Sequence, residues 1–286
     1  MHRRTFVRAL GALGALAAAP AALPALASGA PARRVGRVGL QLYSLRDAAK
    51  QDLARTLADI AAAGYAEVEL LGSMRNFGMP PAELRQVLDR HKLRAPSTHV
   101  SASALDDLPR QLDEARVLGH RYLIVAGFPA EQRRTVDDYR RWADRLNEAG
   151  RRTRAAGVWV GFHNHADDHK VTDGRETGYD VLVARTDPAV VRLQLDTGNL
   201  AMAGRDPLEY ARRHAARYWS FHIKDVPRLG AEQDTELGAG VVDFKRLLAA
   251  VPRLNEKHLF VEQESYPGAP LDSVRRDYTY LSKLEF

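Results

Sequence analysis

The stretch "VGFHNHADD", residues 160–168, ends a short apolar run with two histidines one residue apart. Alternate side chains of an extended strand share a face, so His163 and His165 point one way while Phe162 and Asn164 point the other. Two imidazoles converging at a strand end suit metal ligation or proton transfer. The same two-residue step recurs as His222 and Lys224 in "FHIKD" and as Glu262 and Glu264 in "FVEQES"; Glu69, His99 and Asp196 stand in three more β-rich runs. A single histidine at such a place is more often a hydrogen-bonded core or rim residue. The set as a whole reads differently, because each unpaired ion in a protein interior is costly and a shared cation removes that cost. His163, Asp196, His222 and Glu262 offer mixed nitrogen and oxygen donors, which suit one divalent ion such as Mn2+, Co2+, Zn2+ or Mg2+.

Eight β-rich runs position these groups: residues 38–44, 66–72, 95–101, 122–128, 158–165, 191–198, 218–225 and 258–265. Between them lie stretches with helical spacing: Leu53, Leu57 and Ile60 closed by Gly64; Leu84, Val87 and Leu88; Tyr139, Trp142, Leu146 and Ala149; Phe244, Leu247, Leu248 and Val251. Eight strands alternating with helices over about 250 residues predict an α/β protein with a (β/α)8 TIM-barrel fold as a single domain, residues 35–286. The first strand is followed by "LYSLRD" and not by a glycine-rich phosphate loop, which argues against a nucleotide-binding fold. In such a barrel the reactive groups stand at the C-terminal ends of the strands, where all the residues above fall.

The first 27 residues differ from the rest. Arg3 and Arg4, an alanine- and leucine-rich stretch without acids, and "ALA" at 25–27 predict an export signal of the twin-arginine type, with Pro20 and Pro24 interrupting any membrane span. The expected location is periplasmic, with no stable membrane anchor after cleavage. The whole chain carries +6, and setting aside the three arginines of the signal leaves +3. Clusters such as Arg133-Arg134, Arg140-Arg141 and Arg151-Arg152-Arg154 fall on the polar positions of predicted helices, so they read as solvated faces and not as a nucleic-acid surface. The absence of cysteine excludes disulfides, thiolate nucleophiles and cysteine zinc sites.

The ordered series "GLQLYSLRD", "THVS", "GFHNH", "LQLDTGN", "FHIKD", "ELGAGVVDF" and "FVEQES" resembles the xylose isomerase-like barrel superfamily, the sugar phosphate isomerase/epimerase group. The resemblance implies a divalent metal held by His163, Asp196, His222 and Glu262, and a small carbohydrate as partner. His163 departs from the glutamate found in many members, which weakens the case for two-carboxylate epimerisation. The implied chemistry is proton abstraction beside a sugar carbonyl to give an enediolate. Glu262 is the first candidate base, His165 or His99 the proton donor, and Lys224 the positive charge beside the developing oxyanion. Glu69, Gln41, Tyr43, Asn164 and Glu264 are the candidate substrate contacts. Isomerisation or epimerisation of an unphosphorylated sugar is the first expectation, and elimination from a 3-keto glycoside or keto sugar the alternative. A nuclease or a non-catalytic sugar-binding protein fits the residues less well.

Overall fold

The computed structural model describes residues 33–286, so the expected signal at residues 1–27 lies outside the described residues. All eight runs form strands: β1 (Gly39–Gln41), β2 (Glu67–Leu71), β3 (Ser97–Val100), β4 (Tyr122–Val125), β5 (Trp159–His163), β6 (Val191–Asp196), β7 (Tyr218–Ile223) and β8 (His258–Val261). They pair in parallel in sequence order, and β8 pairs back onto β1 to close the barrel. Residues 33–286 form one compact unit. Among them, no helix is long and apolar enough to cross a membrane.

Each strand is shorter than the run that predicted it, because the chain leaves the ladder before the run ends. After β1 it turns at once into a short 3-10 helix, Leu42–Leu45. The expected helical faces are the buried ones. Leu53, Leu57 and Ile60 pack inward from helix Leu53–Ala62, whose first turn is capped by Asp52 Oδ1 accepting from the Arg55 amide at 2.8 Å. Tyr139, Trp142, Leu146 and Ala149 do the same from helix Val136–Arg154, which starts in a Thr135–Asp138 capping box. Arg134, Arg141, Arg151 and Arg152 are exposed, consistent with solvated faces.

Neighbouring parallel strands place directly opposed residues on the same face, so the register reads out the lumen. Gln41 opposes Glu69, Ile124 opposes Gly161, His163 opposes Gln194, Asp196 opposes His222, and His222 opposes Phe260. Barrels of this type usually fill that space with valine, isoleucine and leucine. Here Glu69, Ser97, Gln194 and Ser220 are fully buried in it. Apolar filling survives where Ile124 lies over Gly161: a Cβ at that glycine would meet Ile124 Cδ1 at 2.5 Å and the Arg192 carbonyl oxygen at 2.6 Å.

The "ELGAGVVDF" segment is held mainly by the Asp225 carboxylate, with Asp277 accepting from the Leu237 amide at 2.8 Å. Asp225, just past β7, accepts from the backbone amides of Val226 (2.9 Å), Gly238 (3.0 Å), Gly240 (3.1 Å) and Val242 (3.0 Å). A side chain at Gly240 would collide with that carboxylate and with the Val226 carbonyl, so glycine is required for the wrap. The loop after β7 is thereby tied to the rim of the barrel.

Candidate active site

Four strand ends bring His163, Asp196, His222 and Glu262 together, one ligand-capable atom from each lying within 4.8 Å of all the others. All four are buried. Asp196 ends β6 and caps the helix Thr197–Met202, its Oδ1 accepting from the Asn199 amide at 2.7 Å. Its Oδ2 is buried without a hydrogen-bond partner. His163 Nε2, His222 Nδ1 and Lys224 Nζ each stand 3.8 Å from that oxygen, too far to donate to it. A buried carboxylate oxygen left unpaired costs stability, and here it is encircled by two imidazole nitrogens and a second carboxylate. This donor set fits a divalent cation, and burial, with the negative Glu262 nearby, pushes Asp196 up to about 8 despite Lys224.

The charges around Glu262 set its state. Its Oε2 lies 2.9 Å from His222 Nδ1 and 3.3 Å from Lys224 Nζ. Burial would raise its pKa, but Lys224 and His222 hold it well below the usual carboxylate range, so it is ionised. Lys224 is buried yet cationic: burial opposes its charge, and Glu262, Asp196 and Glu264 outweigh that, keeping its pKa well above the ordinary value. Its Nζ reaches Glu264 Oε1 at 2.5 Å and approaches Asp234 Oδ2 at 3.9 Å.

His163 and His165 converge as the two-residue step predicts, with ring centroids 4.8 Å apart, although β5 ends at His163. His163 is buried and uncharged, since burial, then His222 and His165, push its pKa well below 6.5. His165 reaches solvent at the rim, yet desolvation in the concave mouth pushes its pKa down to about 4. Its amide donates to Asp168 Oδ2 at 2.7 Å, and Asp168 is held in turn by the Tyr139 hydroxyl at 2.7 Å. His99 ring nitrogen Nε2 points into the floor, 2.9 Å from Gln194 Oε1 and 3.0 Å from Glu69 Oε2.

The expected substrate contacts divide into two groups. Tyr43 is half-buried beyond β1, with the Arg46 guanidinium 4.4 Å over its ring, and Glu264 is partly exposed beside Lys224. Both can meet a ligand at the mouth. The other three are occupied within the protein. Asn164 lies past the end of β5, where its side chain accepts from the Asp196 amide at 2.8 Å and donates to the Asp196 carbonyl at 3.3 Å. It ties the ends of two strands. Gln41 donates to Glu69 at 2.8 Å and accepts from the Tyr43 amide at 3.1 Å. Glu69 is fully buried beneath the four converging groups, where donors surround it, so it belongs to the floor and not to the mouth.

Four residues complete the site that the motifs alone do not single out. Gln194, Ser97 and Ser220 stand two residues before Asp196, His99 and His222, so the same alternation that marks the ligands would have marked them. Asp234 carries no such signal. It accepts from the Glu264 and Ser265 amides, both at 2.7 Å, and so fixes the chain leaving β8.

Residues 57–284 match the family described as xylose isomerase-like TIM barrel. The chain belongs to that family. An inosose dehydratase of Lacticaseibacillus casei is 27% identical over 253 residues, covering 75% of this chain and 83% of that protein. Among solved structures, a sugar phosphate isomerase/epimerase from Parabacteroides distasonis ATCC 8503 superposes with a TM-score of 0.74 at 24% identity, covering 87% of this chain and 98% of that one. The apo form of 3-keto-D-glucoside 4-epimerase from E. coli superposes with a TM-score of 0.67 at 14% identity, covering 86% and 98%. These relatives of the xylose isomerase-like barrel are thus a lyase and sugar isomerases or epimerases, and the two structural likenesses, both under 25% identity, speak to the fold.

Proposed function

We propose that this chain is a metal-dependent lyase that removes the proton beside the carbonyl of an unphosphorylated keto sugar, cyclic keto-polyol or 3-keto glycoside and expels the β-substituent. The observation that carries the reading is the pairing of one ionised carboxylate, Glu262, with the Lys224 ammonium 3.3 Å away at the mouth of the barrel. His163, Asp196, His222 and Glu262 would hold the ion. When bound, it supplies Lewis-acid polarisation of the substrate's carbonyl and hydroxyl oxygens.

The chain's own residues supply the proton chemistry. Glu262 accepts the α-proton, since Lys224 and His222 keep it ionised. Lys224 sets positive charge beside the oxyanion that develops as that proton leaves. Elimination needs one proton acceptor, which can return the proton to the departing oxygen on the same face. Epimerisation needs a second base across the reacting carbon. The match to an inosose dehydratase over most of its length supports the elimination reading. One observation favours the epimerase reading: His165 is uncharged and open at the rim, and so is a competent second base.

The two readings separate in deuterated water. The purified protein, loaded in turn with Mn2+, Co2+, Zn2+ or Mg2+, is mixed with keto sugars, keto-polyols and 3-keto glycosides and followed by proton NMR and ultraviolet absorption. Elimination yields an α,β-unsaturated ketone and a released hydroxyl compound. An α-deuterated epimer without unsaturation assigns the chain to the epimerases instead, and no exchange with any substrate and ion removes the enzymatic reading.

The export signal read from Arg3, Arg4 and the "ALA" at 25–27 supports a periplasmic location for the working protein. Mass spectrometry of the native protein should then find an N-terminus near Ser28. An intact Met1 in the cytoplasmic fraction is the opposing result.

A further inference from the structure

We propose that Glu69 is the positioning residue of this site, a buried carboxylate that sets which nitrogen of His222, and through Gln194 which nitrogen of His163, is left free to bind a cation. The inference rests on the metal-binding reading of His163, Asp196, His222 and Glu262, and concerns a residue beneath them.

Donors surround Glu69. Its two oxygens face Gln41 Nε2 at 2.8 Å, Ser97 Oγ at 2.6 Å, Gln194 Nε2 at 3.0 and 3.2 Å, His99 Nε2 at 3.0 Å and His222 Nε2 at 2.6 Å. A carboxylate accepts and cannot donate, so every one of these atoms must present a hydrogen to it. Three consequences follow in order. His222 carries a proton on Nε2 for Glu69; its Nδ1, which in the metal-free protein also donates to the ionised Glu262 at 2.9 Å, is the nitrogen that faces Asp196 and gives up its proton when a cation binds. The Gln194 side chain must turn its NH2 towards Glu69, where Ser220 Oγ at 3.0 Å takes the second hydrogen, so its carbonyl Oε1 points the other way. That oxygen lies 2.9 Å from His163 Nδ1 and 2.9 Å from His99 Nε2, and being an acceptor it requires a hydrogen on both.

His163 is therefore the Nδ1–H tautomer, and its lone pair is on Nε2, the nitrogen nearer Asp196 Oδ2. With a cation taking the place of the His222 Nδ1 proton, one buried charge thus imposes complementary tautomers on two histidines from different strands: Nδ1–H on His163 and Nε2–H on His222. Hydrogen bonds to the far nitrogen of a ligand imidazole fix its tautomer and ring orientation, and losing such a partner costs about 10–100-fold in metal affinity.

The test uses the full chain and Zn2+ as probe. Two-bond nitrogen–proton correlation NMR of the metal-free protein, uniformly labelled with nitrogen-15, should show His163 with Nδ1 protonated and Nε2 bare, and the zinc-loaded protein should show His222 protonated on Nε2. Glu69→Gln lets the Gln194 amide turn over, so both histidines should become mixtures and zinc affinity should fall roughly 10–100-fold. Gln194→Met should release His163 and leave His222 unchanged. A wild-type His163 protonated on Nε2 overturns the proposal without any variant, and so do unaltered tautomers in a folded Glu69→Gln protein. Zinc that fails to bind the wild type, with the His163 tautomer as stated, removes the metal reading and leaves the tautomer assignment standing.

Discussion

Glu262→Gln should lower turnover by a factor on the order of 10² or more while the barrel stays folded. The side chain stands just past β8 at the mouth, its Oε2 within reach of His222 and Lys224, which keep it ionised, while Glu264 is paired with the Lys224 ammonium. Asp196 is engaged by the Asn199 amide and Asp234 by the amides of Glu264 and Ser265. Glutamine keeps the shape and removes the basicity, so exchange of the α-proton with solvent deuterium should fall in step with turnover. Metal content must be measured on the same sample, because an amide is also a poorer ligand. A variant that holds the wild-type amount of metal and exchanges the proton at the wild-type rate removes Glu262 from the base role and directs the search to His165.

Asp196→Asn should abolish stable binding of a divalent ion, with affinity falling by a factor on the order of 10² or more, at least the upper end of what losing a supporting hydrogen bond to a ligand costs. The expectation rests on Oδ2, the buried oxygen without a partner that faces the two imidazoles. Asparagine can still accept from the Asn199 amide, so the helix Thr197–Met202 keeps its cap and the melting temperature should change little. Alanine at the same position would remove the cap as well, at a cost of about 0.5–2 kcal/mol. The comparison of the two variants separates loss of the ion from loss of the helix start. Undiminished metal content in both places the ion elsewhere.

Much of this site is legible in the order of residues because strand geometry is local. Side chains alternate with a period of two, so His222 and Lys224, or Glu262 and Glu264, must share a face wherever the strand lies. The helical spacing of Tyr139, Trp142, Leu146 and Ala149 likewise reports a buried face before any partner is known. Eight such strands alternating with helices leave few topologies other than a closed barrel, and the closed barrel puts the strand ends in one mouth.

Alternation determines the face of a residue but not its depth, and depth decides what Glu69, Gln41 and Asn164 do. Glu69 looks like a mouth residue in sequence, since it stands near the end of an apolar run as His99 and Asp196 do. The stagger between strands sets it level with Gln41 and beneath His222, where five side chains donate to it and no ligand can reach it. Asn164 falls past the last ladder pair of β5, so its amide turns to the backbone of Asp196. Asp234 meets Glu264 across 30 residues of chain with no pattern in between. The sequence by itself therefore determined the strands, their buried faces and the residue types that gather at the mouth, because these follow from contacts between near neighbours in the chain. Only the tertiary structure decided which of those residues face the ligand and which support them from below, because that depends on the relative shift of strands whose pairing partners lie far apart in sequence.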